Sequence, residues 1–242
     1  MTGPQPATSF GAAVSAYERG RPGYAAEHVA WLLDGVEGRV LDLAAGSGKL
    51  TRAVTGLGFE AVAVDPDEKM LSRVHDVPTL AGTAEAIPLP DASVAAVTVG
   101  QAWHWFDPAA AGAEIARVLT PGGRLGLVWN IRDARQPFVA ALAEVMGPSP
   151  AEALMDADAV LPVPGFTAFE RRCFESVRNI TPEAVEALVT SRSHWLMASP
   201  ATQAQVLAEV RRLLATHPHT AGRRMFEFAM YTACYRANTL AG

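Results

Sequence analysis

Between Val40 and Trp129 the chain alternates short, continuous apolar runs with stretches of helical character, and this alternation restricts its fold more than any other feature. Val40 to Ala44, Ala61 to Val64, Thr79 to Ala81, Val94 to Val99 and Leu125 to Trp129 read as strands, while Lys49 to Thr55, Asp67 to His75 and Ala109 to Leu119 read as helices. Runs that are apolar throughout, rather than at every second position, belong to strands covered on both faces. Strands and helices alternating at this spacing build a parallel, doubly wound sheet. A helix precedes the first strand, because Val29, Leu32, Leu33 and Val36 keep the i, i+3, i+4, i+7 spacing of one buried stripe and Gly35 and Gly38 close it.

After Asn130 the pattern changes. Pro137 to Met146 reads as a helix, Gly147 to Gly165 is rich in proline and glycine, and Phe169 to Asn179 and Met225 to Tyr235 have strand character. Thr181-Pro182 and Ser199-Pro200 each offer an N-cap followed by proline at the first helical position. Added to the earlier runs, the two late segments give the expected fold: an α/β, doubly wound, mostly parallel seven-stranded Rossmann-like sheet with an antiparallel last strand and a helical lid. Residues 1–16 read as a flexible arm, and 17–242 as one domain in which 131–165 and 181–220 contribute a substrate lid.

Composition removes several classes of function. Half of the residues are hydrophobic and 19% are charged, which excludes a disordered or fibrous chain. Twenty Lys and Arg against 25 Asp and Glu leave a net charge of −5, so the basic excess that a nucleic-acid binder uses against phosphates is missing. Cys173 and Cys234 form neither a CxxC pair nor a zinc spacing with histidine, so two buried free thiols and no metal are expected. Met1 to Ala7 lacks the charged start of a targeting segment, and no run of roughly 18 apolar residues occurs, which reads as a cytoplasmic protein without a membrane span. Monomer and homodimer both remain open.

The chemistry is concentrated in Val40-Leu41-Asp42-Leu43-Ala44-Ala45-Gly46-Ser47-Gly48, a strand that runs into a glycine turn at its carboxyl end, where open α/β sheets bind ligands. Gly46 and Gly48 let the backbone approach a ligand closely. A phosphate-binding P-loop fails, because Lys49 is followed by Leu50 and no glycine stands at the required distance before Gly48. A dinucleotide fingerprint is disfavoured, because Thr51 occupies the third glycine position. The remaining reading is an acid followed by a small-x-Gly-x-Gly turn, in which Asp42 accepts from the amino group of an amino-acid-like ligand. Asp65 ends the next strand, where a carboxylate can take both ribose hydroxyls of a nucleoside; followed by Pro66, it also reads as a helix N-cap.

With these residues in view, the segment from Tyr17 to Asn130 resembles the class I S-adenosylmethionine-dependent methyltransferases. The family's Asp-x-Gly-x-Gly-x-Gly turn stands here as Asp42 to Gly48, with Ala44 in place of the first glycine. The resemblance implies S-adenosyl-L-methionine as cofactor, held by Asp42, Ala44, Gly46 and Gly48 in the turn and by Asp65 at the ribose. It sets Pro66 and Met70 beside the adenine, and Ala84 and Glu85 at the adenine amino group in the loop Gly82-Thr83-Ala84-Glu85-Ala86-Ile87-Pro88. Thr83 in that loop and Gln101 and Ala102 after the fourth strand complete the implied cofactor contacts. A closer similarity, to the branch that includes trans-aconitate methyltransferase, is carried by Tyr17-Glu18-Arg19-Gly20-Arg21-Pro22-Gly23-Tyr24 and Gln101-Ala102-Trp103-His104-Trp105-Phe106-Asp107. It implies that Tyr17 and Arg21 lie near the methionine end of the cofactor.

The expected activity is in-line methyl transfer to a small-molecule carboxylate, hydroxyl or amine, with a non-catalytic cofactor-binding regulatory module as the alternative. Holding the nucleophile about 3 Å from the methyl carbon can supply about 7–11 kcal/mol of the barrier. His104 is the candidate base and Trp103 and Trp105 candidate walls of the acceptor pocket. Asn130, Arg132, Arg192 and Trp195 are the candidate lid contacts, the arginines being able to pair with a carboxylate through two hydrogen bonds.

Overall fold

In the computed structural model, residues 23–147, 150–156, 162–192, 195 and 197–240 are described. Tyr17 and Arg21, and the expected arm at 1–16, lie outside them. Seven strands are assigned, β1 Val40–Leu43, β2 Ala61–Asp65, β3 Thr79–Ala81, β4 Val94–Gly100, β5 Leu119–Arg132, β6 Glu170–Ile180 and β7 Phe226–Asn238, in the sheet order β3-β2-β1-β4-β5-β7-β6. Helices α1 Ala26–Leu32, α2 Lys49–Thr55, α3 Glu68–Leu71, α4 Pro108–Val118, α5 Pro137–Met146, α6 Pro150–Asp156, α7 Pro182–Thr190 and α8 Pro200–Thr216 connect them. The α/β, Rossmann-like expectation holds.

The first five strands pair in parallel, and β1, with β2 on one side and β4 on the other, is the strand at which the winding reverses. All residues of β1 and β2 are buried, as their unbroken apolar runs require of strands covered on both faces. β7 is antiparallel to β5: the Asp133 amide donates to the Ala229 carbonyl, and the Thr239 amide to the Gly123 carbonyl, so numbers fall along one strand as they rise along the other.

Three departures from the sequence reading stand out. β5 begins at Leu119 rather than Leu125, because Leu119 already pairs with Val94; Arg124 then pairs with Ala96, and Thr120-Pro121-Gly122-Gly123 bulges out within the strand. The helix expected over Asp67 to His75 covers only Glu68–Leu71. The amides of Arg73 and Val74 bond to carbonyls three residues back, which tightens the chain out of the α-helix before Pro78. Cys173 is exposed, not buried, because β6 is the edge strand and most of its residues face out; Cys234, on β7, is buried, and burial raises its thiol to about 12.

The chain divides into two compact units. One comprises Gly23–Trp129 and the described parts of Leu154–Cys173 and Ala233–Gly242. The other comprises Asn130–Ala153 and Phe174–Thr232 in their described parts. In the second, Phe138, Val139 and Leu142 of α5, Val185 and Val189 of α7, Val210 and Leu214 of α8, and Phe226 and Phe228 of β7 form one apolar core. Its helices start as expected: Thr181 Oγ1 accepts from the Ala184 amide and Ser199 Oγ from the Thr202 amide, each followed by proline. No helix among the described residues is long and apolar enough to cross a membrane.

Candidate active site

Within the first unit, the carboxyl ends of β1, β2 and β4 meet around the glycine turn. Asp42 of β1 is 1% exposed. Its Oδ2 accepts the Thr51 hydroxyl at 2.5 Å, while Oδ1 is buried with no hydrogen-bond partner. Burial raises the Asp42 carboxyl to about 7, against the lowering effect of the bonds from Thr51, and the nearby charge of Asp65 raises it further. Thr51 thus has a structural reason to stand where a dinucleotide site would carry glycine.

Asp65 closes β2, and its two carboxylate oxygens are divided between two amides: Oδ2 accepts from Gly46 and Oδ1 from Asp67, each at 2.8 Å. Burial moves its carboxyl up, and the two amide bonds oppose that shift. The Gly46 bond ties the turn after β1 to the end of β2. Asp65 is not the N-cap of α3. That position belongs to Asp67, whose Oδ1 accepts from the Lys69 and Met70 amides.

The turn itself is backbone in the left-handed region, with φ +57 at Ala44, +55 at Gly46 and +79 at Gly48. A Cβ on Gly48 would stand 2.8 Å from Val74 Cγ2, so glycine is required there by space as well as by conformation. Ala44 holds the same conformation with a side chain, at a cost of about 1–2 kcal/mol. Ser47 is buried, and its hydroxyl has no hydrogen-bond partner. Met70 is buried, with Cε 3.4 Å from where a Gly46 Cβ would lie, whereas Pro66 is exposed.

At the end of β4, Gly100 leaves room for Tyr24, whose hydroxyl oxygen would be 2.6 Å from a Cβ at that position. Tyr24 and Thr51 are the site residues that the sequence reading did not select. Gln101 follows with φ +61, its amide donating to the Val128 carbonyl. Ala102 is buried, and Trp103–Trp105 forms one turn of 3₁₀ helix. Trp103 points inward, 4% exposed and edge-on to Phe106; His104 is half-buried beside the exposed Trp105 ring, 4.9 Å between centroids.

In the loop after β3, Thr83 and Glu85 are exposed and Ala84 is buried. The loop is fastened to α4. Glu85 Oε1 accepts from the Asp107 amide, and Arg117 donates to the carbonyls of Ile87 and Leu89. Arg117 also pairs with Glu114, whose carboxyl its hydrogen bonds pull down to about 2.

The lid candidates belong to the second unit. Asn130 Oδ1 accepts the Thr232 hydroxyl at 2.7 Å. Arg132 is 7% exposed and engages both carboxylate oxygens of Glu152, to which Arg192 also donates. Arg192 and Trp195 line a cavity of about 300 Å³ with Met146, Val189 and Val206. Among the described residues no cluster of His, Cys, Asp and Glu could hold a metal ion.

A methyltransferase-domain family model matches residues 41–127, the stretch from β1 to the middle of β5. An uncharacterized methyltransferase of Mycobacterium tuberculosis is 48% identical over 242 residues, covering 96% of each chain. The chain belongs to the class I S-adenosylmethionine-dependent methyltransferases. This methyltransferase is also 33% identical over 239 residues to an uncharacterized methyltransferase of Schizosaccharomyces pombe, covering 94% of this chain and 95% of that one. Among solved structures it resembles a protein from Anaeromyxobacter dehalogenans described as a type II methyltransferase, with 25% identity, a TM-score of 0.66, and coverage of 90% and 97% of the two chains. S-adenosylmethionine is accordingly its cofactor.

Proposed function

We propose that this methyltransferase transfers the methyl group of S-adenosylmethionine to a small-molecule carboxylate, hydroxyl or amine, with the cofactor held at the carboxyl ends of β1, β2 and β4. The observation that carries the reading is the pair of buried carboxylates, Asp42 and Asp65, on adjacent strands. A buried carboxylate oxygen without a donor, as Asp42 Oδ1 is, costs about 1–3 kcal/mol or more until a donor reaches it, and an ammonium group is the donor that also matches its charge. Asp65 spends one lone pair of each oxygen on an amide, which leaves capacity for ribose hydroxyls. The missing side chains at Gly48 and Gly100 let Val74 and Tyr24 pack directly against the backbone of the turn and of the end of β4.

Once bound, the sulfonium supplies an electrophilic methyl group and a neutral leaving thioether. The protein's part is to orient the acceptor, exclude water and take a proton where the acceptor carries one. His104 is the base in this reading, positioned by the 3₁₀ turn and packed on Trp105. Pro66, Met70, Thr83, Ala84, Glu85, Gln101 and Ala102 are the remaining cofactor contacts, with Tyr17 and Arg21 carried by the resemblance alone. An acceptor smaller than nucleic acid is supported by the net charge of −5.

Arg192 and Trp195, which share one cavity, are the acceptor contacts favoured among the lid candidates. Arg132 is the weakest of them, since Glu152 already occupies its guanidinium. The similarity of 17–24 and 101–107 to the trans-aconitate methyltransferase branch puts a small organic acid first among acceptors to test. The test is release of S-adenosylhomocysteine from S-adenosylmethionine with a panel of acids, phenols and amines. Release stimulated by at least one acceptor supports the reading, and failure of the protein to bind either cofactor form overturns it.

A further inference from the structure

The loop after β3 crosses from the edge of the sheet to α4 and has little packing of its own: Thr83, Glu85, Ala86, Pro88 and Pro90 are exposed, and only Ala84 and Ile87 are buried. Its middle, at Ile87 and Leu89, is tied to α4 by one guanidinium. Arg117, near the end of α4, donates from Nη2 to the Ile87 carbonyl and from Nη1 to the Leu89 carbonyl, both at 2.9 Å. Its Nε and Nη2 also donate to the two oxygens of Glu114, one turn earlier, at 2.7 and 2.8 Å. Glu114 Oε2 completes the ring by accepting the Ile87 amide at 2.9 Å. Both backbone groups of Ile87 are thereby bound to the same side-chain pair. Asp91 adds a contact to Nη1 at 2.7 Å, but its side chain is 78% exposed, so that bond contributes little.

We infer that Arg117, held by Glu114, is the positioning residue that sets the adenine-side loop 84–87, and hence the enzyme's selectivity for adenine over a purine lacking the exocyclic amino group. This rests on the proposed cofactor site, in which Ala84 and Glu85 border that amino group. Arginine is needed because one planar fork serves two carbonyls and a carboxylate at once; lysine, a compact point charge, cannot span them. Glu85 Oε1 also accepts the Asp107 amide, but that bond is solvent-exposed and long at 3.1 Å, so it does not hold residues 84–87 in place once Arg117 is lost.

The experiment measures dissociation constants for S-adenosylhomocysteine and S-inosylhomocysteine by calorimetry on the full chain, with the cofactor KM and kcat, for wild type, Arg117→Lys, Arg117→Met and Glu114→Gln. Arg117→Met is expected to weaken S-adenosylhomocysteine at least tenfold and to shrink the preference over the inosyl analogue several-fold. KM for the cofactor should rise while kcat at saturation stays within about twofold, since the reacting atoms are not touched. Arg117→Lys should recover little, and Glu114→Gln should show the same trend more weakly. A folded Arg117→Met protein with wild-type preference between the two purines overturns the inference. If Arg117→Met does not fold, wild-type preference in Glu114→Gln overturns it instead. Wild type that binds neither compound overturns the cofactor-site reading itself.

Discussion

Thr51 and Asp42 form a buried pair in which the Thr51 hydroxyl satisfies one carboxylate oxygen at 2.5 Å and leaves the other without a donor. An acid prepared in this way is costly in the empty protein and favourable once a cation reaches it. Its carboxyl titrates at about 7 because burial opposes the charge, so in the ligand-free fold it holds a proton that the unfolded chain releases at about pH 4.

The sign of the resulting pH dependence follows. Between about pH 4 and 7 the native state binds more protons at Asp42 than the unfolded state, so stability falls as pH rises through this window. Asp65, also shifted up by burial, contributes in the same direction. The ligand-free protein should therefore melt higher at pH 5.5 than at pH 8, and Asp42→Asn should flatten that slope. Melting curves across pH, with and without S-adenosylhomocysteine, check this; a wild-type slope unchanged in Asp42→Asn would remove Asp42 as its source.

Thr51→Val removes the hydroxyl that stabilises the charged form of Asp42, while keeping the side-chain volume and the Thr51 backbone amide. A hydrogen bond to a charged group contributes about 1.5–3 kcal/mol, so cofactor affinity at pH 7 should drop roughly tenfold. The pH midpoint of binding should move up, and Thr51→Ser should restore most of the loss. Titrations at several pH values in the three proteins distinguish this from a packing defect, which would leave the midpoint where it is.

Ala44 holds a left-handed backbone conformation in the turn. Strain of about 1–2 kcal/mol is relieved by Ala44→Gly, partly offset by about 0.5–1 kcal/mol of added freedom in the unfolded chain. The net expectation is a gain of roughly 0.5–1 kcal/mol in urea denaturation. Ala44→Val should lose stability in the same measurement.

Arg132 and Glu152 make a buried ion pair within the second unit, their side chains 5% and 16% exposed. Glu152→Leu leaves a buried guanidinium short of its main acceptor, and a loss of about 3–5 kcal/mol is expected. If denaturation shows under 1 kcal/mol, the pair is not structural and Arg132 returns as an acceptor contact.

His104→Ala should reduce turnover at least tenfold while leaving S-adenosylhomocysteine affinity within a few-fold of wild type. Unchanged kcat with a responsive acceptor would assign His104 to the wall of the pocket instead.

The strands around the glycine turn were legible because burial on both faces writes itself as unbroken apolar runs, and Asp42, Gly46, Gly48 and Asp65 stood out as candidates because the proposed ligand-facing turn needs acids and glycines at fixed places. The length of β5 was not, since Thr120-Pro121-Gly122-Gly123 reads as a turn whether it ends a strand or bulges from one. Asp65 and Asp67 flank the same proline, and only geometry shows that the second caps α3 while the first binds the Gly46 turn. Thr51 and Arg117 were missed for a related reason: each acts on a partner distant in sequence, and neither residue type signals that partner. The Glu114–Arg117 spacing of three on a helix was the visible sign of the second, but such pairs are common on solvated faces.

The claim on which the account turns is that Asp42 and Asp65 hold the cofactor together, and calorimetric titration of S-adenosylhomocysteine into wild type, Asp42→Asn and Asp65→Asn tests it most directly. The account predicts one site in the wild type and a loss of about tenfold or more in each variant, because each removes charged hydrogen bonds of about 1.5–3 kcal/mol. Wild-type affinity in both variants would contradict it.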